Sequence, residues 1–178
     1  MMVTGFIAGG EDVGDKWRKY SDASQRFQIE YPSATEPKNI QDGESAMLSH
    51  MAFEFEQPFR SGPDAGSLKF QLQISVWQNT NHLSAEEWAR QHTNPKLILE
   101  SRSARLAGQT GVVLRTTNLA WPSVNYFVAD RDQVYELNYP DIAANKQTLT
   151  EELRAKWTAT FNRMVESFQL RPSRAGFK

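Results

Sequence analysis

The sequence predicts an α/β (α+β) fold in which an antiparallel β-sheet is sandwiched between helices. Three observations lead to this prediction. Strand-like alternation of apolar and polar residues runs through the first three quarters of the 178-residue chain. Short connections separate successive strands, which favours antiparallel pairing because parallel strands need long crossovers. Two amphipathic helices, one in the middle and one near the end, provide layers that can cover the sheet.

The first strands are marked by alternation that stops at turn residues. Residues 26–31 alternate polar and apolar side chains and end at Pro32. Residues 47–56 form a second strand with one apolar face, and residues 68–76 show the most regular alternation of all. The segment 58–66 between them is rich in Pro and Gly, which predicts a flexible hairpin loop.

A helix is predicted to begin at Ser84. The sequence Ser84-Ala85-Glu86-Glu87 fits a capping box, in which the serine hydroxyl and the glutamate carboxylate each accept a backbone N–H. Leu83 and Trp88 are placed to form a hydrophobic staple across the helix start. The pair Asn94-Pro95 predicts the end of this helix.

Two hairpins and a long helix complete the pattern. The hairpin strands are predicted at 97–106 and 111–117, joined by 107–110, and at 124–129 and 133–139, joined by 130–132. The strand at 124–129 is apolar on both faces, which is typical of a central strand with layers on both sides. The last helix is predicted at 148–168, with an apolar stripe made of Leu149, Leu153, Trp157, Phe161, Met164 and Phe168.

Composition excludes several classes of function. With 20 Lys+Arg against 21 Asp+Glu, the net charge of −1 gives no overall attraction to nucleic acid or acidic lipid. The absence of cysteine excludes disulfides, thiolate nucleophiles and cysteine-ligated metals. No apolar stretch approaches the roughly 18 residues that cross a bilayer, so no transmembrane segment is expected. His50, His82 and His92 do not share a ligand spacing, and we expect no metal, cofactor or catalytic residue.

Two groups of side chains are candidates for binding. Trp77 falls on the polar side of its strand and Trp121 precedes Pro122 in a loop, and exposed aromatics of this kind anchor partner proteins. Arg102, Arg105 and Arg115 fall on one predicted hairpin, whose cross-strand pairing would gather them into a basic patch for an anionic ligand or an acidic partner. The alternative for the arginines is a solvated or salt-bridged hairpin face.

The order of these motifs resembles the PsbP-like superfamily, which includes the extrinsic photosystem II protein, bacterial exported proteins and a nuclear Ran-binding protein. The similar segments are Tyr20-Ser21-Asp22, the "F-x-I-x-Y-P" strand Phe27–Pro32, the glycine turn Leu106–Gly111, the pair Asn125–Val128 with Val134–Leu137, and the closing helix end Met164–Phe168. The resemblance covers about residues 17–170. Residues 34–37 lack the Gly-Trp of many relatives, which indicates a bacterial member outside the photosynthetic branch.

The resemblance implies an α/β/α sandwich that is not an enzyme and that acts through a protein-interaction surface. We expect a flexible segment at 1–16, one PsbP-like domain at 17–170 and a polar tail at 171–178. Two alternatives stay open: a cytosolic adaptor or chaperone-like subunit that docks on a larger complex, and a small hydrolase with an unrecognised site. The resemblance implies a location outside the cytoplasm after removal of a signal, whereas a native start at Met1 implies the cytoplasm. The identity of the protein partner and the oligomeric state are left open.

Overall fold

A computed structural model of the protein describes residues 16–24, 26–41, 46–58, 66–117, 121–144 and 149–171. Most of the expected flexible segment at 1–16, the centre of the loop expected at 58–66 and nearly all of the polar tail therefore lie outside the described residues.

Strands dominate the described part of the chain, and two α-helices interrupt them. The elements are β1 (Trp17–Ser21), β2 (Phe27–Pro32), β3 (Pro37–Asn39), β4 (Met47–Pro58), β5 (Ser67–Gln78), α1 (Ala85–His92), β6 (Ile98–Leu106), β7 (Gln109–Thr116), β8 (Ser123–Asp130), β9 (Gln133–Pro140), α2 (Glu151–Ser167) and β10 (Gln169–Leu170).

The strands form two antiparallel sheets, neither of which closes into a barrel. The larger sheet has seven strands in the order β3-β4-β5-β9-β8-β7-β6, so that β3 and β6 are its edges. The smaller sheet has the order β1-β2-β10. Every pair of neighbouring strands is antiparallel. The short connections predict this for the consecutive strands, whereas β5–β9 and β2–β10 pair strands that are distant in the sequence.

Apolar layers cover the large sheet on both faces. On one face, Trp157 and Phe161 of α2 pack with β4, β5 and β9, and the small sheet adds Phe27 to the same cluster. On the other face, Trp88 of α1 packs against Phe127 and its neighbours on β7, β8 and β9. The predicted helix–sheet–helix sandwich is confirmed.

The helix starts follow from their caps. At α1 the Ser84 hydroxyl accepts the Glu87 N–H at 3.2 Å and the Glu87 carboxylate accepts the Ser84 N–H at 2.9 Å, which is the predicted capping box. The long helix begins at Glu151 rather than at residue 148, because the Thr150 hydroxyl accepts the Leu153 N–H and caps the helix there. Neither helix in the described ranges has the length and apolar character to cross a membrane.

Candidate binding surface at strand β6

Strand β6 is an exposed edge of the large sheet. It pairs with β7 on one side and has no strand on the other side within the described residues. From Leu99 to Ser103 every residue is exposed. Leu97 and Leu99, at the start of the strand, are 40% and 57% exposed, and they are two of the three large apolar side chains exposed in the described part of the chain. Apolar surface and an open strand edge therefore coincide here.

The turn between β6 and β7 determines which backbone groups of β6 point outward. Ala107 and Gly108, with φ of 52° and 78°, form a two-residue turn, so Leu106 and Gln109 are the closing pair. Such a closing pair is hydrogen bonded, and hydrogen-bonded pairs alternate along an antiparallel ladder. The N–H and C=O groups of Ser101, Ser103 and Arg105 are therefore directed away from β7, toward the open edge.

The three arginines predicted to form one patch lie on two faces. Arg102 and Arg105 are three residues apart in β6, so their side chains point to opposite faces of the sheet. Arg102 shares the α2 face with Arg115 of β7, and both line one cleft there. Arg105 lies on the α1 face, where its guanidinium donates to the Gly108 carbonyl at 3.3 Å. The structure thus brings together Arg102 and Arg115 and leaves Arg105 apart.

Acidic side chains form ion pairs with both Arg102 and Arg115. Arg115 Nε and Nη2 lie 2.8 Å and 2.7 Å from Asp141 Oδ2, and its Nη1 lies 3.4 Å from Glu100 Oε2. These contacts raise the pKa of Arg115, with the Asp141 hydrogen bond as the largest cause. Arg102 lies 3.8 Å from Glu100 and is 59% exposed, so it is the more available of the two cations.

The cleft lies between the β6–β9 part of the sheet and α2, and its volume is about 180 Å³. Two cross-strand rows form its floor: Arg102, Val113 and Tyr126 in one, and Arg115, Val124 and Tyr139 in the other. Phe161, Thr158 and Asn162 of α2 form the opposite wall, and Asp141, Ile142 and Ala143 close one end. In each row a valine lies between an arginine and a tyrosine. Because the valine side chain is the shortest of the three, a depression forms above it.

A stack of aromatic rings borders this cleft. Tyr139 is parallel to Phe161 with centroids 5.0 Å apart and to Tyr126 with centroids 6.4 Å apart. Tyr139 is buried, whereas Tyr126, at the end of the stack, is half-buried. Burial is the main cause that raises the pKa of Tyr139, and the hydrogen bond with Tyr126 raises it further. The Tyr139 phenol therefore acts as a neutral hydrogen-bonding group at neutral pH.

The two predicted tryptophan anchors pack against the protein itself. Trp77 is half-buried beside Trp88 of α1, and its indole N–H donates to Glu136 at 3.2 Å. Trp121 is also half-buried and meets Phe70 edge-on at a centroid distance of 6.2 Å. The role in partner binding predicted for Trp77, Trp121 and the three arginines stays a prediction.

Several residues of this region could not be identified as site residues from the sequence. In the sequence, Asp141 follows a strand and has the character of a turn residue. The alternation of apolar residues places Tyr126 and Tyr139 at core positions. Their convergence depends on the order β9-β8-β7-β6, which local alternation does not contain. Among the described residues, no group of three His, Asp or Glu side chains could hold a metal ion.

The chain was compared with known proteins at three levels. No family model matches it, and no curated protein matches its sequence. A crystal structure from Bacteroides thetaiotaomicron VPI-5482 shares 11% identity with a TM-score of 0.49 over 86% of this chain and 48% of that one, so this chain spans about half of its length.

The solution structure of cyanobacterial PsbP (CyanoP) from Synechocystis sp. PCC 6803 shares 10% identity with a TM-score of 0.55. That match covers 96% of this chain and 99% of the cyanobacterial protein, so the likeness extends over the whole of both. With its antiparallel sheets and flanking helices in this arrangement, the chain has a PsbP-like fold.

Proposed function

We propose that this protein is a non-catalytic accessory module that binds an extended segment of a partner protein along the open edge of β6. The observation that carries the proposal is the nine-residue edge strand itself, with outward-directed backbone groups and exposed leucines at its start. Exposed edges of this length are templates for strand addition, which proteins otherwise cover or shorten. In β-augmentation the backbone hydrogen bonds supply affinity and the alternate side chains supply specificity.

The charges on β6 indicate the chemistry of the partner segment. Arg102 and Arg105 are both exposed and lie on opposite faces of the strand. An added strand with two acidic residues three positions apart presents one carboxylate to each arginine. Leu99 lies at a bulge between Ile98 and Glu100, where it offers an apolar contact at the end of the regular ladder. The complementary partner is therefore an extended acidic segment with an apolar residue at one end.

The accessory role agrees with what the PsbP-like resemblance implies, which is action through a protein-binding surface. A cytosolic adaptor would use the same edge and differ in the compartment of its partner. A hydrolase would need an available acid or base in the cleft, and the carboxylate that lines it, Asp141, is already bound by Arg115. The binding role is therefore preferred.

A proline in β6 tests the proposal. Ser103→Pro removes an outward N–H and leaves the hydrogen bonds to β7 in place, since proline is tolerated on edge strands in this orientation. The probe is a blocked nine-residue peptide rich in valine and threonine, with two glutamates three positions apart. Titration of the ¹⁵N-labelled protein should shift the amide signals of β6, and Ser103→Pro should weaken binding by roughly tenfold or more.

Matched controls separate the edge from other causes. Ser103→Thr keeps the N–H and should bind like the wild type. Arg105→Glu should weaken binding of the acidic peptide and strengthen binding of a peptide with lysines in place of the glutamates. The proposal fails if neither peptide binds at millimolar concentration, or if Ser103→Pro binds equally well. Sedimentation analysis adds a third outcome: self-association that Ser103→Pro abolishes would make a second copy of this chain the occupant of the edge.

A further inference from the structure

The cleft between the sheet and α2 is a second candidate binding feature, and it shares Arg102 with the open edge of β6. Its floor is apolar over Val113 and Val124, its arginines stand at the sheet-edge side and its tyrosines stand toward the sheet centre. Cavities that are apolar and carry a few converging polar groups are the usual form of small-molecule sites. We propose that this cleft binds a small aromatic monocarboxylic acid.

The size of the cleft favours a ligand with a single ring. Its volume is about 180 Å³. Sites for larger cofactors and drug-sized molecules begin at roughly 300 Å³. A one-ring acid matches this volume, whereas a nucleotide would extend well beyond it.

The charge balance of the lining favours a single negative charge. Two arginines and one aspartate line the cleft, and Arg115 holds the aspartate at 2.7 Å. Arg102 is the more exposed of the two cations, and it shares Glu100, 3.8 Å away and outside the lining, with Arg115. A guanidinium binds a carboxylate through two parallel hydrogen bonds. A cationic ligand would find no available carboxylate in the lining, and a dianion would find one available guanidinium.

The aromatic stack favours a flat ring as the body of the ligand. Phe161, Tyr139 and Tyr126 stack in succession, and Tyr126 is the half-buried end member. A ring lying over Val113 and Val124 meets Tyr126 on one side while its carboxylate reaches Arg102 on the other. Tyr126 also lines the cleft and carries a phenolic hydroxyl that can donate to the ligand. The arginine and this hydroxyl together fix the orientation of the acid.

Calorimetry with benzoate on the full chain tests the proposal. We expect saturable binding of benzoate and no comparable binding of benzylamine or benzyl alcohol, which keep the ring and change the charge. Arg102→Gln should weaken benzoate binding by at least about tenfold, because it removes a charge-assisted hydrogen bond. Arg105→Gln removes the same charge from the opposite face of the same strand and should leave the affinity unchanged.

A second variant tests the volume independently of the charge. Val113→Phe fills the floor of the cleft and should abolish benzoate binding, while the amide spectrum and the unfolding temperature show whether the fold is kept. Equal affinity of the Arg102→Gln and Arg105→Gln variants would overturn the proposal. So would equal binding of benzylamine, or no saturable binding of benzoate at millimolar concentration.

Discussion

Glu136 shows how a single residue on the α1 face can make the stability of the protein depend on pH. Its carboxylate accepts the Trp77 indole N–H, and His50 of β4 and His92 of α1 are the titratable groups that act on it. Burial, the largest cause, raises the pKa of Glu136, while the indole hydrogen bond and the two histidines lower it in part. In the folded state Glu136 therefore holds its proton to higher pH than in the unfolded chain.

The sign of the pH effect follows from this raised pKa. A group that binds its proton more tightly in the folded state contributes stability at low pH, and this contribution is lost as pH rises through the folded-state pKa. The Glu136→Gln variant keeps an acceptor for Trp77 and has no charge to desolvate. We expect the wild type to lose stability relative to Glu136→Gln from about pH 4.5 upward, until Glu136 is fully ionised. Urea unfolding at intervals from pH 4 to pH 8 measures this difference.

An exposed carboxyl is the control for this experiment. Glu56→Gln changes an exposed residue of β4 and should give a curve parallel to that of the wild type. A constant difference between the wild type and Glu136→Gln over the whole range would contradict the assignment of a raised pKa to Glu136.

Trp77 also illustrates what could be predicted at the residue scale. Val76 of β5 faces the α2 side of the sheet, and the alternation along β5 correctly places Trp77 on the opposite face. It could not tell that Trp88 of α1 lies beside this position, because the placement of α1 depends on contacts between distant parts of the chain. The exposed aromatic expected from the pattern is for this reason a half-buried one.

At the scale of elements, the β6–β7 hairpin contains two glycines that are required for different reasons. Gly108 has φ of +78°, with no atom within 4 Å of the position that a Cβ would take. Gly111 has an ordinary strand conformation, but a Cβ there would lie 2.2 Å from the Phe127 carbonyl oxygen of β8. The first glycine serves the turn, and the second allows β7 and β8 to approach closely.

Alanine substitutions should separate these two requirements. Gly111→Ala forces the backbones of β7 and β8 apart, and we expect a loss of about 3 kcal/mol in the free energy of unfolding. Gly108→Ala adds strain only, which costs about 1 kcal/mol. Urea unfolding of the two variants measures both losses. A larger loss for Gly108→Ala than for Gly111→Ala would contradict the close approach of β8 to Gly111.

Most elements could be predicted from the sequence, whereas their lateral order could not. The capping box at Ser84 is a local signal and lies where the structure has it. The hairpin turns predicted at 107–110 and 130–132 are also local signals, and the structure narrows them to the two-residue turns 107–108 and 131–132. The edge position of β6 is not determined by a local signal, because the alternation of apolar and polar residues does not show which strands are neighbours. The same limit applies to the cleft, whose two rows join residues of four strands.

At the scale of the whole molecule, the two faces of the large sheet have cores of unequal size. The cluster on the α2 face is the larger and includes the long helix, β4, β5, β9 and the small sheet. The cluster on the α1 face joins an eight-residue helix to a few side chains of β7, β8 and β9. Trp88 is its main contact, stacked on His92 at 3.9 Å and adjacent to Trp77. Short helices depend on such tertiary packing because their own propensity is insufficient.

This asymmetry should appear as unequal local stability. Hydrogen exchange of the native protein should give lower opening free energies for the amides of α1 than for those of α2 and the central strands. Trp88→Ala removes about 3 kcal/mol or more of packing and should accelerate exchange in α1 by roughly a hundredfold, with the slowest amides of β5 and β9 changed far less. Trp157→Ala, at the centre of the larger core, should instead accelerate exchange throughout the molecule, because that core holds the sheet and α2 together. If Trp88→Ala accelerated all amides equally, α1 would be part of one cooperative unit with the sheet, and opening of α1 alone would be excluded.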